Sequence, residues 1–195
     1  MSNKFSYHLK KLEEEGLIHK QGEFYSLTSK GKSFVTYLEG TTGNEQKQPL
    51  STVVIIVVKN NNVLMQQRLK EPFYGYWGFP SGKQSFGTFL KEAARKELFE
   101  EAGLEGDLEY KGLVTVRTFN NNNLMYHHNL HLFKCSNPRG ELQSQCREGK
   151  NQWIKIEAIK ELKTFPDVPI DIEIILERRE PYHEMDRFQK NDEFV

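Results

Sequence analysis

The sequence has few apolar residues. Hydrophobic residues make up 37% of its 195 positions. None of its apolar runs approaches the ~18 residues that a membrane-spanning helix needs, so no membrane span is expected. The N-terminus is polar and charged and lacks the apolar core of a secretory signal. Cysteine is scarce too. Cys135 and Cys146 stand alone, without CxxC spacing, which argues against a disulfide framework or a thiolate metal site. They read as two reduced thiols, and the expected location is cytoplasmic. Net charge is also missing, because 27 basic and 27 acidic residues cancel. Without a basic field, bulk attraction to nucleic acid or to a membrane surface is not indicated. There are no repeats and no long low-complexity segments.

What is present begins with one strongly helical stretch. From Phe89 to Ala102 there is neither Pro nor Gly, and Leu, Ala, Glu, Lys and Arg dominate, which predicts a helix. Thr88 is the expected N-cap, and Gly103 stands where a left-handed residue closes a helix. Glu97, Glu100 and Glu101 fall at i, i+3 and i+4 and share one face. Three carboxylates so close repel unless a cation lies among them. Carboxylate oxygen is what Mg²⁺ and Mn²⁺ prefer. The plain alternative is a solvated acidic stripe balanced by Lys91, Arg95 and Lys96. Before the helix runs Trp77-Gly-Phe-Pro-Ser-Gly-Lys83, a glycine-containing turn. A loop feeding a helix N-terminus offers N–H groups to an anion.

Residues 82–104 resemble the Nudix box, the signature of the Nudix hydrolases. Gly82 opens the pattern, and Glu97, Leu98, Glu100, Glu101, Gly103 and Leu104 match in register. Two positions depart from it: Thr88 replaces a Glu and Lys96 replaces an Arg. The resemblance implies an α/β fold, the Nudix α/β/α sandwich with a mixed β-sheet over residues 50–180. It implies a metal-dependent hydrolase cleaving the pyrophosphate bond of a nucleoside diphosphate linked to another moiety. Glu97, Glu100 and Glu101 would bind Mg²⁺ or Mn²⁺. Glu97 and Glu101 would be catalytic, and Lys96 would orient Glu97, although it lacks the planar fork of Arg. Downstream, Glu148-Gly149 precede Trp153, a placement where the family often supplies a further metal ligand, so Glu148 joins the set. Arg68 and Lys83 are candidates for neutralising phosphate, with Gly82 and Trp77 also placed at the substrate. A homodimer would suit the family. The competing reading is a box that binds a nucleotide-type ligand without turnover, in a sensor.

Ahead of this region, residues 3–15 read as an amphipathic helix, Leu17-Ile18 and Phe24–Leu27 as a hairpin, and Lys32–Leu38 as a second helix. "SYHLKKLEEEGLI" and "YSLTSKGK" resemble the later part of a winged-helix domain, here a partial element over residues 1–40. Its DNA-facing candidates would be Lys4, Ser6, Tyr7, His8 and Lys10. With six Lys against five Glu in that span, DNA binding by this chain alone is not expected. Residues 41–49 read as a linker.

Ser51–Val58, with the apolar run Val53–Val58, and Val63–Arg68 read as paired strands. Pro72–Trp77 reads as an aromatic loop whose rings pack together or stack on a nucleobase. Leu113–Phe119 and Met125–Lys134 read as further strands. On the second, His127, Asn129 and His131 face one way and His128 the other, suited to pairing or pocket lining rather than to metal. A short helix over 157–163 and a covering helix over Ile170–Arg179 follow. Residues 181–195 read as a loosely held polar tail.

Overall fold

The computed structural model describes residues 3–40, 43–191 and 193–195. The chain divides into two compact units, residues 1–48 and 49–195.

The first unit is helix, hairpin, helix: α1 (Asn3–Glu14), β1 (Ile18–Gln21), β2 (Phe24–Leu27) and α2 (Ser29–Val35). Gly16 and Gly22 take φ of 71° and 62°, the left-handed region that suits glycine at turns. The second helix starts and ends earlier than predicted. Thr28 is its N-cap, accepting from the Gly31 N–H at 3.0 Å, and its hydroxyl donates to Gly16 O at 2.6 Å. Of the predicted linker, the described part folds back: the Gln46 N–H donates to Tyr37 O at 2.9 Å.

The second unit is built on β3 (Leu50–Lys59), whose apolar run splits by alternation. Val53, Ile55 and Val57 join one core with Ala94, Leu98 and Ala102 of α3 (Leu90–Ala102). Val54 and Ile56 join the other with Val168, Ile172 and Ile175 of α4 (Val168–Ile175). A strand covered on both faces needs apolar residues throughout, which is why β3 reads as one continuous hydrophobic run.

The sheet is mixed. β3 runs parallel to β8 (Asn123–Gly140), which is antiparallel to β7 (Leu104–Asn120). β4 (Asn62–Arg68) forms a hairpin with β3 and pairs with β5 (Trp77–Gly78) and β9 (Gly149–Lys155). β6 (Ser81–Lys83) pairs with the start of β3. The β7–β8 turn is carried by Asn121 and Asn122 at positive φ, a conformation Asn tolerates. The helix predicted over 157–163 is a 3₁₀ segment, Ile156–Glu161.

Two expectations are corrected here. Thr88 is not the N-cap of α3. That residue is Phe89, whose N–H donates to Glu92 Oε2 at 3.0 Å, while the Thr88 hydroxyl donates to Ser85 O within the preceding turn. The polar tail carries β10 (Tyr182–Lys190), parallel to β7, and β11 (Glu193–Phe194), paired with β10.

Candidate active site

The short strand β6 lies against α3, and that packing builds the site. The Ser81 N–H donates to Glu101 Oε2 at 2.9 Å. A Cβ placed on Gly82 would fall 2.1 Å from Glu97 Cδ, so only glycine lets the β6 backbone rest on that carboxylate. Glu101 is 7% exposed. Burial pushes its carboxyl up to about 7, with the charges of Glu97 and Glu148 adding to the rise and the Ser81 bond opposing it. Burial also raises Glu97, followed by the charge of Glu100, with Lys96 acting in the other direction.

Two supporting amides carried no motif in the sequence. Gln66 Nε2 donates to Glu101 Oε2 at 3.4 Å and to Asn151 Oδ1 at 3.2 Å. Asn151 Nδ2 donates to the backbone oxygens of Glu101 at 2.6 Å and Gln143 at 2.8 Å. Gln66 and Asn151 are cross-strand partners of β4 and β9. Their one signal was a glutamine following three apolar residues of a buried strand.

Glu148 sits at the entry to β9. Its carboxylate pairs with Lys70 and, at 3.7 Å, with Arg68 Nη1. A Cβ on Gly149 would meet Gln67 O at 1.9 Å, so glycine there lets β9 press against β4. Arg68 is also tied to its own loop, donating from Nε to Pro72 O at 2.6 Å. Glu100 points outward, 3.7 Å from Lys96 in an exposed i,i+4 pair. Lys96 therefore contacts Glu100 and reaches Glu97 only through its field.

Among the described residues, no group of three or more His, Cys, Asp or Glu is already gathered as a metal cage. The donor chemistry nevertheless suits a hard divalent cation. Glu97 and Glu101 each feel other carboxylates, Glu148 among them, and a cation would relieve that repulsion.

Ser81, Gly82 and Lys83 also line a cavity of about 400 Å³. Its walls are largely apolar, with Val54, Phe73, Phe79, Leu130 and Phe165. Arg68 and His128 line it as well, together with Asp167 just before α4, Asp171 within it and Arg187 of β10. Of the three neighbouring histidines, His128 alone lines this cavity. Its Nδ1 lies 3.2 Å from Thr52 Oγ1, and burial lowers its pKa. Trp77 is not at the cavity. It is buried in the core, 8% exposed. The aromatic loop packs on rings from other parts of the unit: Phe73 stacks on Phe194 of β11 with centroids 4.8 Å apart, and Tyr76 meets Phe165 at 5.4 Å.

Comparisons with known proteins agree with this architecture. The NUDIX domain family matches residues 48–176. Among curated proteins, an oxidized purine nucleoside triphosphate hydrolase of Danio rerio is 29% identical over 106 residues, which are 54% of this chain and 65% of that protein. The chain thus spans just under two thirds of that relative's length. Among solved structures, the Bacillus halodurans MutT protein aligns with a TM-score of 0.60 and 24% identity, covering 75% of this chain and 94% of the other. The NUDIX domain of Shewanella oneidensis NrtR, complexed with ADP ribose, aligns at 0.59 and 18%, covering 78% and 99%. A Francisella tularensis NMN adenylyltransferase/ADP ribose pyrophosphatase, complexed with AMP and a manganese ion, aligns at 0.55 and 21%, covering 68% and 42%. At these identities the structural likenesses speak to fold.

Proposed function

The chain belongs to the NUDIX family, and on that premise we propose that its second unit is a metal-dependent hydrolase of the pyrophosphate bond in a nucleoside diphosphate linked to a further group. The observation that carries this reading is the contact of β6 with Glu97 and Glu101, because β6 also lines the cavity. One short strand thereby joins a carboxylate cluster to a slot that would receive the ligand.

In this reading Glu97, Glu100 and Glu101, with Glu148, hold Mg²⁺ or Mn²⁺, which supplies Lewis acidity and a template for the phosphates when bound. Glu97 takes the proton of the attacking water. A new P–O bond forms, the bridging P–O bond breaks, and the leaving phosphate keeps the bonding electron pair. Lys83 and Arg68 offset the charge of the phosphates. The Ser81 N–H and the Gln66 amide fix Glu101. Lys96, which meets Glu100 in this structure, supports Glu97 less well than a bidentate Arg would. Thr88 brings no carboxylate to the site, and with Lys96 it favours the second reading, a ligand-binding module with little turnover. The first unit reads as a winged-helix-like element.

The test is product release from nucleoside triphosphates, ADP-ribose, dinucleotides and nucleotide sugars, with Mg²⁺ or Mn²⁺. Metal-dependent turnover that Glu100→Gln/Glu101→Gln abolishes supports the hydrolase. An inert wild type that is nonetheless stabilised by one of these ligands supports the binding module instead.

A further inference from the structure

The loop between β4 and β5, residues 69–76, is closed by its own backbone. The Arg68 N–H donates to Tyr76 O at 2.9 Å, and the Gly75 N–H donates to Arg68 O at 2.8 Å. Two consecutive loop carbonyls then hold the Arg68 guanidinium. Its Nε donates to Pro72 O at 2.6 Å and its Nη2 to Glu71 O at 3.3 Å. The remaining N–H donors of the fork are left for other partners, and the side chain lines the cavity.

The next residue along is strained. Phe73 has a φ of 68°, left-handed backbone that a bulky residue keeps only where its surroundings hold it. β11 supplies that hold. The Phe194 ring lies flat on the Phe73 ring, with centroids 4.8 Å apart and planes 9° from parallel. The Phe194 N–H donates to the Tyr76 hydroxyl at 3.0 Å, and that hydroxyl donates to Glu193 Oε2 at 2.9 Å. Lys163 closes the clamp, with its Nζ 4.4 Å from the Tyr76 ring centroid and hydrogen-bonded to the other Glu193 oxygen. Phe194 is not among the residues that line the cavity, whereas Phe73 and Arg68 are. Whatever β11 does for a ligand it does through this loop.

We propose that Phe194 and Glu193 are positioning residues: β11 holds Phe73 in its left-handed conformation, and with it the Glu71 and Pro72 carbonyls that aim Arg68 at the phosphates. The inference rests on the pyrophosphatase reading given above, in which Arg68 offsets phosphate charge. A guanidinium is a planar fork and must be set in angle as well as in distance to meet two phosphate oxygens. Released from β11, Phe73 would relax to negative φ and turn the carbonyl that precedes it. Arg68 would then be free to close on Glu148, whose carboxylate is already 3.7 Å from Nη1. β11 lies beyond residues 48–176, so this support belongs to the part of the chain outside the family match.

The experiment is calorimetric titration of the full chain, in Mg²⁺, with the α,β-methylene analogues of ADP and GDP. A P–C–P bridge replaces P–O–P in these probes, so binding is read without hydrolysis. Phe194→Ala is expected to weaken binding about tenfold, the scale of one hydrogen bond to a charged group. In an Arg68→Met background the same substitution is expected to add nothing, because the group it positions is gone. A ring that merely backed the cavity wall would cost as much without Arg68 as with it. Should Phe194→Ala not fold, Tyr76→Phe keeps the buried ring, removes both hydrogen bonds to β11 and is expected to weaken binding severalfold, again only while Arg68 is present. Wild-type affinity in a folded Phe194→Ala or Tyr76→Phe, a loss that persists in the Arg68→Met background, or no binding of either analogue would overturn the assignment. Hydrolysis indifferent to Phe194 would sink this inference alone. Binding that depends on Phe194 through Arg68, without hydrolysis of any substrate, would sink the hydrolase reading alone.

Discussion

Gly82 and Glu97 lie so close that a single added methyl group would fall 2.1 Å from the Glu97 carboxyl carbon and 2.3 Å from its Oε2. Gly82 is not among the glycines at positive φ, so space rather than backbone conformation excludes a side chain. Gly82→Ala is expected to fold, since β6 is short, and to push Glu97 out of position. A displacement near 1 Å at a catalytic group costs about 10²-fold in rate. Steady-state turnover beside a circular dichroism spectrum would check it. Wild-type turnover in a folded variant would show that Glu97 need not sit against β6.

Asn151 holds the C-terminal end of α3 through the Glu101 carbonyl and the following loop through the Gln143 carbonyl. Asn151→Ala strips both oxygens of their donor. A buried polar group left unpaired costs about 2 kcal/mol, so the denaturation midpoint should fall by at least that equivalent. Turnover should drop too, because Gln66 loses its acceptor and Glu101 its support. Asn151→Asp, which cannot donate to either carbonyl, should behave no better.

Asp171 gives stability a pH slope of defined sign. Its folded pKa is raised above the unfolded value, by burial first and then by Asp167. Between those two values the folded state holds the extra proton, so stability falls as pH rises. The favourable contribution is complete below the unfolded value, near 3.9, and is lost progressively upward toward the raised folded one. Asp171→Asn cannot ionise. Its advantage over wild type is expected to grow as pH increases from about 4 to 8, read as denaturant midpoints across that range. A constant difference would show that Asp171 does not titrate in this way.

The parts of this molecule that were legible in the sequence are those where one physical demand acted alone. The β3 run had to be apolar on both faces. The end of α3 had to be glycine, and Gly103 takes φ 68°. Elsewhere two demands competed. On β10 the half-buried positions are His183, Met185 and Arg187, and the buried one is Gln189. A mostly polar inward row hides the strand from any hydrophobic count, yet one of those residues answers Asp167. Trp77 belongs to a short strand paired with β4, so its ring fills the core and not the cavity. Glu97 and Glu101 were visible by spacing on the helix. Gln66 and Asn151 were not, because their roles exist only in the β4–β9 register. Glu100 shows the limit of spacing: it shares the helix face of the other two and still reaches toward Lys96.

Lys70 is the residue whose removal should sharpen the site. Its ammonium pairs directly with Glu148, and that side chain also meets Arg68 at 3.7 Å. In the proposed enzyme Glu148 is a ligand for the divalent ion, so Lys70 competes with the metal for the same oxygens. Its side chain is 43% exposed, and an exposed pair contributes little to stability. Lys70→Met should therefore leave the melting temperature nearly unchanged. Mn²⁺ binding should tighten severalfold, since one rival cation is gone and a like charge no longer stands near the metal. Calorimetric titration with Mn²⁺ alone reads this without any substrate. Glu148→Gln in the Lys70→Met background separates the causes. If Glu148 ligates the ion, the gain disappears with its charge. A gain that survives would mean that Lys70 acts on Glu97 and Glu101 through the general field, and Glu148 would leave the ligand set.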